Sequence, residues 1–419
     1  MAILSTAVWE LRADGSDANG GGYDAGIASA GTDYSQQTAA QLSLTDLAMT
    51  AGGTTLTSAT GGFTSAMIGN AIYIASGTNF VAGWYFITAR ADTNTVTIDR
   101  DATNASNATS GTGAVGGARV TITDAFGEAL IGGNTVWVRN AGTITQGANV
   151  SIASTSATVA APISIVGYNS TRDDKPKETD RPTMAIGANL FSILVTGWVL
   201  KNIIFTTTSA TGIVGPNNGV MTILNCKCTN TSATADRAAF SVRGCQFYQC
   251  EAVSTNGRAF YSTNLAFNMV GCYAHNSVDG LYTATALGGN IINCVFDTCS
   301  SNGIVAQNKM SIVNCTIYNC GVGIATSAYD MILIINNIIH SCTTGVSASS
   351  LNTSQIMDNN VFYNNNTNTS NMVAMGEYDL KTDPKLNDPA NGDFTLQSGS
   401  SAIDTGMEAL NNVGLTGTY

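Results

Sequence analysis

Between Asn202 and Tyr363 one short phrase keeps returning. It reads Asn293-Cys294-Val295-Phe296-Asp297-Thr298-Cys299, then Asn314-Cys315-Thr316-Ile317-Tyr318-Asn319-Cys320, then Asn336-Asn337-Ile338-Ile339-His340-Ser341-Cys342, and Asn359-Asn360-Val361-Phe362-Tyr363. Upstream the same place is assigned to Asn202, Cys226, Cys245 and Cys272. The ladder Asn202, Cys226, Cys245, Cys272, Cys294, Cys315, Asn337 and Asn360 is then spaced 24, 19, 27, 22, 21, 22 and 23 residues apart. A second beat follows at Gly280, Gly303, Gly323 and Gly345. A unit near 22 residues cannot bury its own apolar face and must stack on its neighbours. Alternation makes the units strands: Ile292, Cys294 and Phe296 share one parity, Ile291, Asn293 and Val295 the other. The pattern predicts an all-β chain built on a right-handed parallel β-helix, one coil per repeat.

The remainder is organised around that solenoid. Residues 1–45 read as a turn-rich arm. Residues 46–122 hold apolar runs such as Ala71-Ile72-Tyr73-Ile74 and Trp84-Tyr85-Phe86-Ile87 between Gly-, Asn- and Asp-rich turns, which predicts a small β-module, a meander or barrel. Residues 124–130 predict a short amphipathic helix, capped by Thr123 or Asp124 and laid over the open end of the first coil. The solenoid is expected over 123–375, with irregular last coils and a cap over 376–419. From Arg172 to Arg181 eight of ten residues are charged, with four of each sign, which reads as a solvated loop.

Charged residues make up only 11% of the 419-residue chain, yet no apolar run approaches the length of a membrane span. The net charge of −11 argues against a nucleic-acid partner. Met1 to Val8 lacks a positive n-region, so secretory export is not expected. All ten cysteines fall between Cys226 and Cys342, where a ladder of small buried hydrophobes accounts for them. Cys226-Lys227-Cys228 has no second pair at zinc spacing, and Asp14 to Asp24 misses the Asp-x-Asp-x-Asp-Gly calcium pattern and reads as a turn. No metal and no cofactor is called for.

Several phrases resemble right-handed parallel β-helix repeat proteins. They are the helix followed by Gly133-x-Thr135-Val136-x-Val138, the Gly167-Tyr168-Asn169-Ser170-Thr171-Arg172-Asp173 stretch closed by Arg181-Pro182-Thr183, and Asp383 to Gly406. The ending Gly399-Ser400-Ser401-Ala402-Ile403-Asp404-Thr405-Gly406 is similar to that group's Gly-Ser-Pro-Ala-Ile-Asp-x-Gly, with Ser401 where proline is usual. The opening Trp9 to Gly26 resembles N-terminal stretches of bacteriophage and environmental-virus proteins. The resemblance implies a virion protein of tailspike, fibre or decoration type, attached to other virion proteins through its N-terminal region. It also implies a homo-oligomer, a trimer in such spikes.

On the solenoid, the column Tyr248, His275, Asp297, Tyr318, His340 and Tyr363 lies three residues past each ladder position with outward parity. Rings stacked at about 4.8 Å would form a ridge able to meet sugar rings or a partner. A solvated stripe is the plainer reading. Glycoside hydrolysis would need two carboxylates about 5 to 9.5 Å apart. Asp297, Asp279 and Asp330 are the candidates, and their ladder offsets place them at different corners. The expectation is therefore a non-enzymatic protein exposed on a virion surface as a spike, fibre or capsid decoration, with host-surface polysaccharide as one candidate ligand. A tailspike depolymerase and a bacterial surface adhesin are the alternatives.

Overall fold

The computed structural model describes residues 4–153, 156–209, 211–216, 219–263, 266–284, 288–327, 331–349, 355–371 and 375–407. The chain is all-β, with a parallel solenoid and an N-terminal barrel, and divides into two units, Met1–Thr206 and Thr207–Tyr419.

The first unit begins with a strand that belongs to the solenoid rather than to a separate arm. Val8–Leu11 pairs in parallel with Thr135–Arg139, in the register Trp9 to Val136 and Leu11 to Val138. Ile163–Tyr168 adds to that strand and Trp198–Lys201 follows. The chain leaves between Leu11 and Thr135 to close a six-stranded barrel from Leu42–Met49, Thr55–Ser58, Ala71–Thr78, Gly83–Asp92, Thr95–Ile98 and Ala108–Val115. Alternation fills its interior with Leu44, Leu47, Leu56, Ile72, Ile74, Ile87, Val96, Ile98 and Val115. The helix Asp124–Ala129 starts where the Thr123 hydroxyl accepts the Phe126 N–H. Phe126 packs 5.1 Å from Trp9 and 5.2 Å from Trp84, and a side chain at Gly127 would meet Ile152 at 2.6 Å. The helix thus sits against solenoid strands, Phe126 fully buried.

Ion pairs built on the buried side chains of Glu10 and Arg119 tie this unit together. Glu10 is fully buried and accepts hydrogen bonds from the Tyr168 hydroxyl and from Arg172 Nε and Nη2 at 3.0 and 2.7 Å. Arg172 also reaches Asp33 at 2.9 Å. The charged loop is therefore anchored inward by its first residue, not merely solvated. Arg119, 2% exposed, bonds Asp17 at 3.0 Å beneath the Trp84 and Phe126 rings.

In the second unit each coil contributes one strand to each of three parallel sheets. The first face runs Met221–Leu224, Cys245–Tyr248, Phe267–Val270, Gly289–Ile292, Met310–Val313, Ile332–Ile335, Ile356–Asp358. The second runs Lys227–Asn230, Glu251–Ser254, Tyr273–His275, Val295–Asp297, Thr316–Tyr318, Ile338–His340, Val361–Tyr363. The third includes Arg258–Thr263, Asp279–Ala284 and Asn302–Ala306.

The corner between the first two faces explains the recurring phrase. Its leading residue takes the left-handed conformation: Asn225, Gln249, Gly271, Asn293, Asn314, Asn336 and Asn359 have φ between 49° and 63°. Asparagine tolerates that region better than other residues with a side chain, hence its recurrence. The next residue points inward onto its equivalent one coil on. The Cys250 and Cys272 N–H groups donate to Cys272 and Cys294 Sγ at 3.4 Å, and those of Cys315 and Asn337 to Asn337 and Asn360 Oδ1 at 2.9 Å.

Two ladder assignments are corrected by this geometry. Cys245 lies on the first face opposite Met221, and the rung belongs to Cys250. With Cys250 the spacings become 24, 22, 22, 21, 22 and 23 from Cys226 to Asn360. The uneven 19 and 27 around Cys245 were the trace of the error. Asn202 has φ 59° and is the turn residue, which leaves Ile203 at the inward place.

The ladder ends on a carboxylate. Asp379 Oδ1 accepts the Asn360 N–H at 2.7 Å, and Leu380 bridges Val361. Beyond it the described residues form no further complete coil. The hairpin Leu386–Asp388 and Asp393–Leu396 turns back over the second face, and Met407 N–H returns to Asn336 Oδ1 at 2.8 Å.

Candidate functional site

The register joins five of the six predicted ridge residues. His275 opposes Asp297, Asp297 opposes Tyr318, Tyr318 opposes His340 and His340 opposes Tyr363, one per coil on the second face. Tyr248 is not among them. It pairs with Leu224 and Val270 on the first face, because the ridge was counted from Cys245.

Parallel to this column, two residues closer to the corner, runs a second outward column of Lys227, Glu251, Tyr273 and Val295. The two columns interlock. Lys227 Nζ lies 2.7 Å from Glu251 Oε1, which also meets His275 Nε2 at 3.0 Å. The Tyr273 and His275 rings stack at 4.3 Å. The Tyr273 hydroxyl donates to Asp297 Oδ2 at 3.0 Å and Thr298 donates to Oδ1 at 2.6 Å. Burial alone would raise Glu251, but the hydrogen bonds of His275 and Lys227 and their charge outweigh it and hold the carboxyl at about 2. Burial, followed by the neighbouring Asp297 charge, pushes the Tyr273 phenol up.

Asp297 interrupts the run of rings, and the C-terminal hairpin fills the gap. Phe394 lies 6.3 Å from Tyr273 and 5.7 Å from Tyr318, both edge to face. Tyr318 to His340 and His340 to Tyr363 are each 5.2 Å. His275, Tyr273, Phe394, Tyr318, His340 and Tyr363 therefore form one continuous track of six partly exposed rings. Burial lowers the His340 imidazole, against the pull of Asp383.

The candidate carboxylates are engaged separately. Asp279 sits on the third face, 3.7 Å from Arg258 Nε, and accepts from the Asn302 amide at 2.8 Å. Asp297 belongs to the second face and the Tyr273 bond, and Asp330 lies outside the described residues. In the Asp14 to Asp24 turn, Asp14 pairs with Arg12, Asp17 with Arg119, and Asp24 accepts from Thr6. Among the described residues no group of three His, Cys, Asp or Glu converges to hold a metal.

Comparison with known proteins places the coils. A family model described as right handed beta helix region matches residues 279–382. The coils are a right-handed β-helix. Solved structures similar to the chain include pectate lyase Pel9A, at 13% identity over 68% of this chain and 86% of that one, TM-score 0.42. The A-module of mannuronan C-5 epimerase AlgE4 from Azotobacter vinelandii is 12% identical over 59% of this chain and 91% of that one, TM-score 0.36. The Pseudomonas phage phi297 tailspike gp61 is 13% identical over 82% and 59%, TM-score 0.18. No curated protein matches the sequence.

Sequence reading missed Lys227, Glu251, Tyr273 and Phe394. The first three were within reach. Each directly follows an inward cysteine, and an outward position two before the ridge is on the same face by strand parity. Phe394 carries no such signal, since its contacts lie 121 and 76 residues back along the chain.

Proposed function

We propose that the protein is a non-enzymatic polysaccharide-binding β-helix borne on a virion surface, and that the ring track of the second face is where the glycan lies. The observation that carries this reading is the continuity of the track. Rings one coil apart match the flat, apolar faces of successive sugars, and tyrosine and histidine add polar edges for hydroxyl groups. Lys227, Glu251 and Asp297 supply charged hydrogen-bonding groups beside it. The barrel, which lies apart from the track in sequence, serves as the attachment module to other virion proteins, in line with the phage-like opening at Trp9 to Gly26.

The carboxylates favour binding over cleavage. A general acid needs a raised pKa, whereas Glu251 is held at about 2. Asp297 accepts two hydrogen bonds and Asp279 is bound to Arg258 and Asn302. The test is titration calorimetry of the full chain against a panel of bacterial surface polysaccharides, with product analysis for new chain ends. Tyr318→Ala and Phe394→Ala should each weaken binding about 5- to 30-fold, by the roughly 1–2 kcal/mol that one stacked ring supplies. Binding unchanged in both variants would remove the track from the reading, and steady release of new chain ends would replace it with a depolymerase. Detection of the chain on uninfected bacteria and not on virus particles would favour an adhesin.

A further inference from the structure

The three faces of the second unit differ in charge. The second carries Lys227, Glu251 and Asp297, and the third carries Arg258 and Asp279. The first face carries two outward columns fixed by its parallel register. One is Thr222, Gln246, Asn268, Asn290, Ser311, Leu333 and Ile356; the other is Leu224, Tyr248, Val270, Ile292, Val313 and Ile335. Over the first six coils neither column contains a charged residue. Lys309 borders them and Asp358 follows Ile335 at the far end.

The polar column is partly bonded within itself. The Asn290 amide donates to Asn268 at 2.8 Å and Asn268 donates to Gln246 at 2.7 Å, so part of its hydrogen-bonding capacity is met before the face is covered. The other column is aliphatic except for Tyr248 and, in its last row, Asp358. At the last coils Met331 and Ile356 are 60% and 59% exposed beside Leu333, along a shallow groove with Asn290 and Ser311. Contiguous apolar surface of this kind marks an interaction site on a soluble chain.

We infer that the first face is a self-association surface and that its occupant is the same face of a second copy of this chain. Charge selects that occupant. A chain of net charge −11 repels its own copies everywhere except where charge is absent, and this face is such a place. The repeat selects it too. Two ladders with one rung spacing, run antiparallel about a two-fold axis across the strip, keep aliphatic column on aliphatic column and amide column on amide column, with Asn290 and Ile292 of the middle row at the axis. Seven rungs at about 4.8 Å give a strip about 30 Å long. With a width of about 15 Å it covers about 450 Å² per copy, or roughly 900 Å² in all, just under the roughly 1,000 Å² that a specific interface clears, which makes the contact a weak one. The flanking Met331, 60% exposed, extends it.

The test is the solution mass of the full chain by sedimentation and light scattering between about 1 and 100 µM. Wild type is expected as an oligomer. Val313→Lys and Ile292→Lys, outward on this face, are expected as monomers with an unchanged far-ultraviolet spectrum, while Thr316→Lys on the second face stays oligomeric. A wild-type monomer at the highest concentration overturns the inference, as does an oligomer that survives both face variants. Should the lysine variants fail to fold, Asn290→Cys serves instead, because the ten native cysteines are buried and only the new thiol is reactive. Dimers joined through that residue under mild oxidation support the inference, and its labelling without cross-linking refutes it. None of these readouts depends on a glycan.

Discussion

In the first unit the carboxylate of Glu10 meets an arginine 162 residues further along the chain; in the second, Asn337 meets Asn360, a copy of itself, 23 residues on. Both are buried polar contacts, and both are satisfied. They differ in how many places the structure must be right at once. The Glu10 network draws on the first strand, on Asp33 and Ser35, on Tyr168 and on Arg172, each used once. The ladder uses one rule repeatedly, a left-handed residue and then a small inward one. A fault in the network has no neighbour to share it, whereas a fault in one rung leaves the rungs on either side intact.

The contrast is sharpest at Arg172. Replacing it with alanine leaves Glu10 buried without its counter-charge, and such losses cost about 3–5 kcal/mol. Burial raises the Glu10 carboxyl while Arg172 pulls it down. A carboxyl raised in the fold contributes stability below its unfolded pKa and loses it as pH rises through the folded one. Without Arg172 the rise is larger. The penalty of Arg172→Ala should therefore be greatest near pH 7 and shrink toward pH 4, as read by the difference in unfolding midpoint from wild type. A penalty below 1 kcal/mol at pH 7 would show that the first unit is held by something other than this network.

The same contrast explains what the sequence could disclose. The β-helix was legible because its contacts recur. Twenty-two-residue spacing, the alternation of Ile292, Cys294 and Phe296 and the asparagine at five of the seven left-handed corners are all local signals that repeat. Even the misplacement of Cys245 and Tyr248 left a mark, in two uneven spacings. Nothing local marks Val8–Leu11 as a solenoid strand, because 123 residues separate Leu11 from Thr135 and the barrel intervenes. Arg172 stands in a run of charges that reads as solvent-facing, and only the fold shows that its partner is Glu10. At the candidate site the ridge was readable as parity, but its completion by Phe394 was not, since a folded-back tail has no periodicity.

Within the ladder a second comparison can be made between sulfur and amide rungs. Asn337 accepts the Cys315 N–H at 2.9 Å and donates to the Ile312 carbonyl at 2.9 Å and to Asn360 at 3.0 Å. Asn337→Ala strands the buried Cys315 N–H and removes one bond each from the Ile312 carbonyl and Asn360 Oδ1, and about 2–3 kcal/mol should be lost. Cys272 gives the coil before it only a long 3.4 Å contact from the Cys250 N–H, so Cys272→Ala removes little beyond packed volume, about 1 kcal/mol. Burial also pushes the thiols of Cys228, Cys245 and Cys315 up, which keeps them unreactive. Denaturant unfolding of both variants would decide the order. Equal losses would mean that the rungs act by volume alone and that asparagine is there for another reason.

The smallest effect belongs to the surface cluster, and pH isolates it. Glu251 is held at about 2 by His275 and Lys227, far below the 4.5 of a free glutamate. A carboxyl depressed in the fold contributes stability that is complete above the unfolded value and lost as pH falls through the folded one. Glu251→Gln should therefore cost about 1 kcal/mol near pH 7, the upper range for a partly exposed pair. The cost should fade between pH 4.5 and pH 2, since there the wild-type carboxylate takes up the proton that glutamine never needed. Every other carboxylate titrates in both proteins and cancels in the difference. Thermal midpoints of the two at pH 7, 4.5, 3 and 2 trace the curve. A difference that stayed constant over that range would mean Glu251 acts through shape and neutral hydrogen bonds. A difference that vanished with pH would place its charge, with Lys227 and His275, in the hold on the first coils of the track.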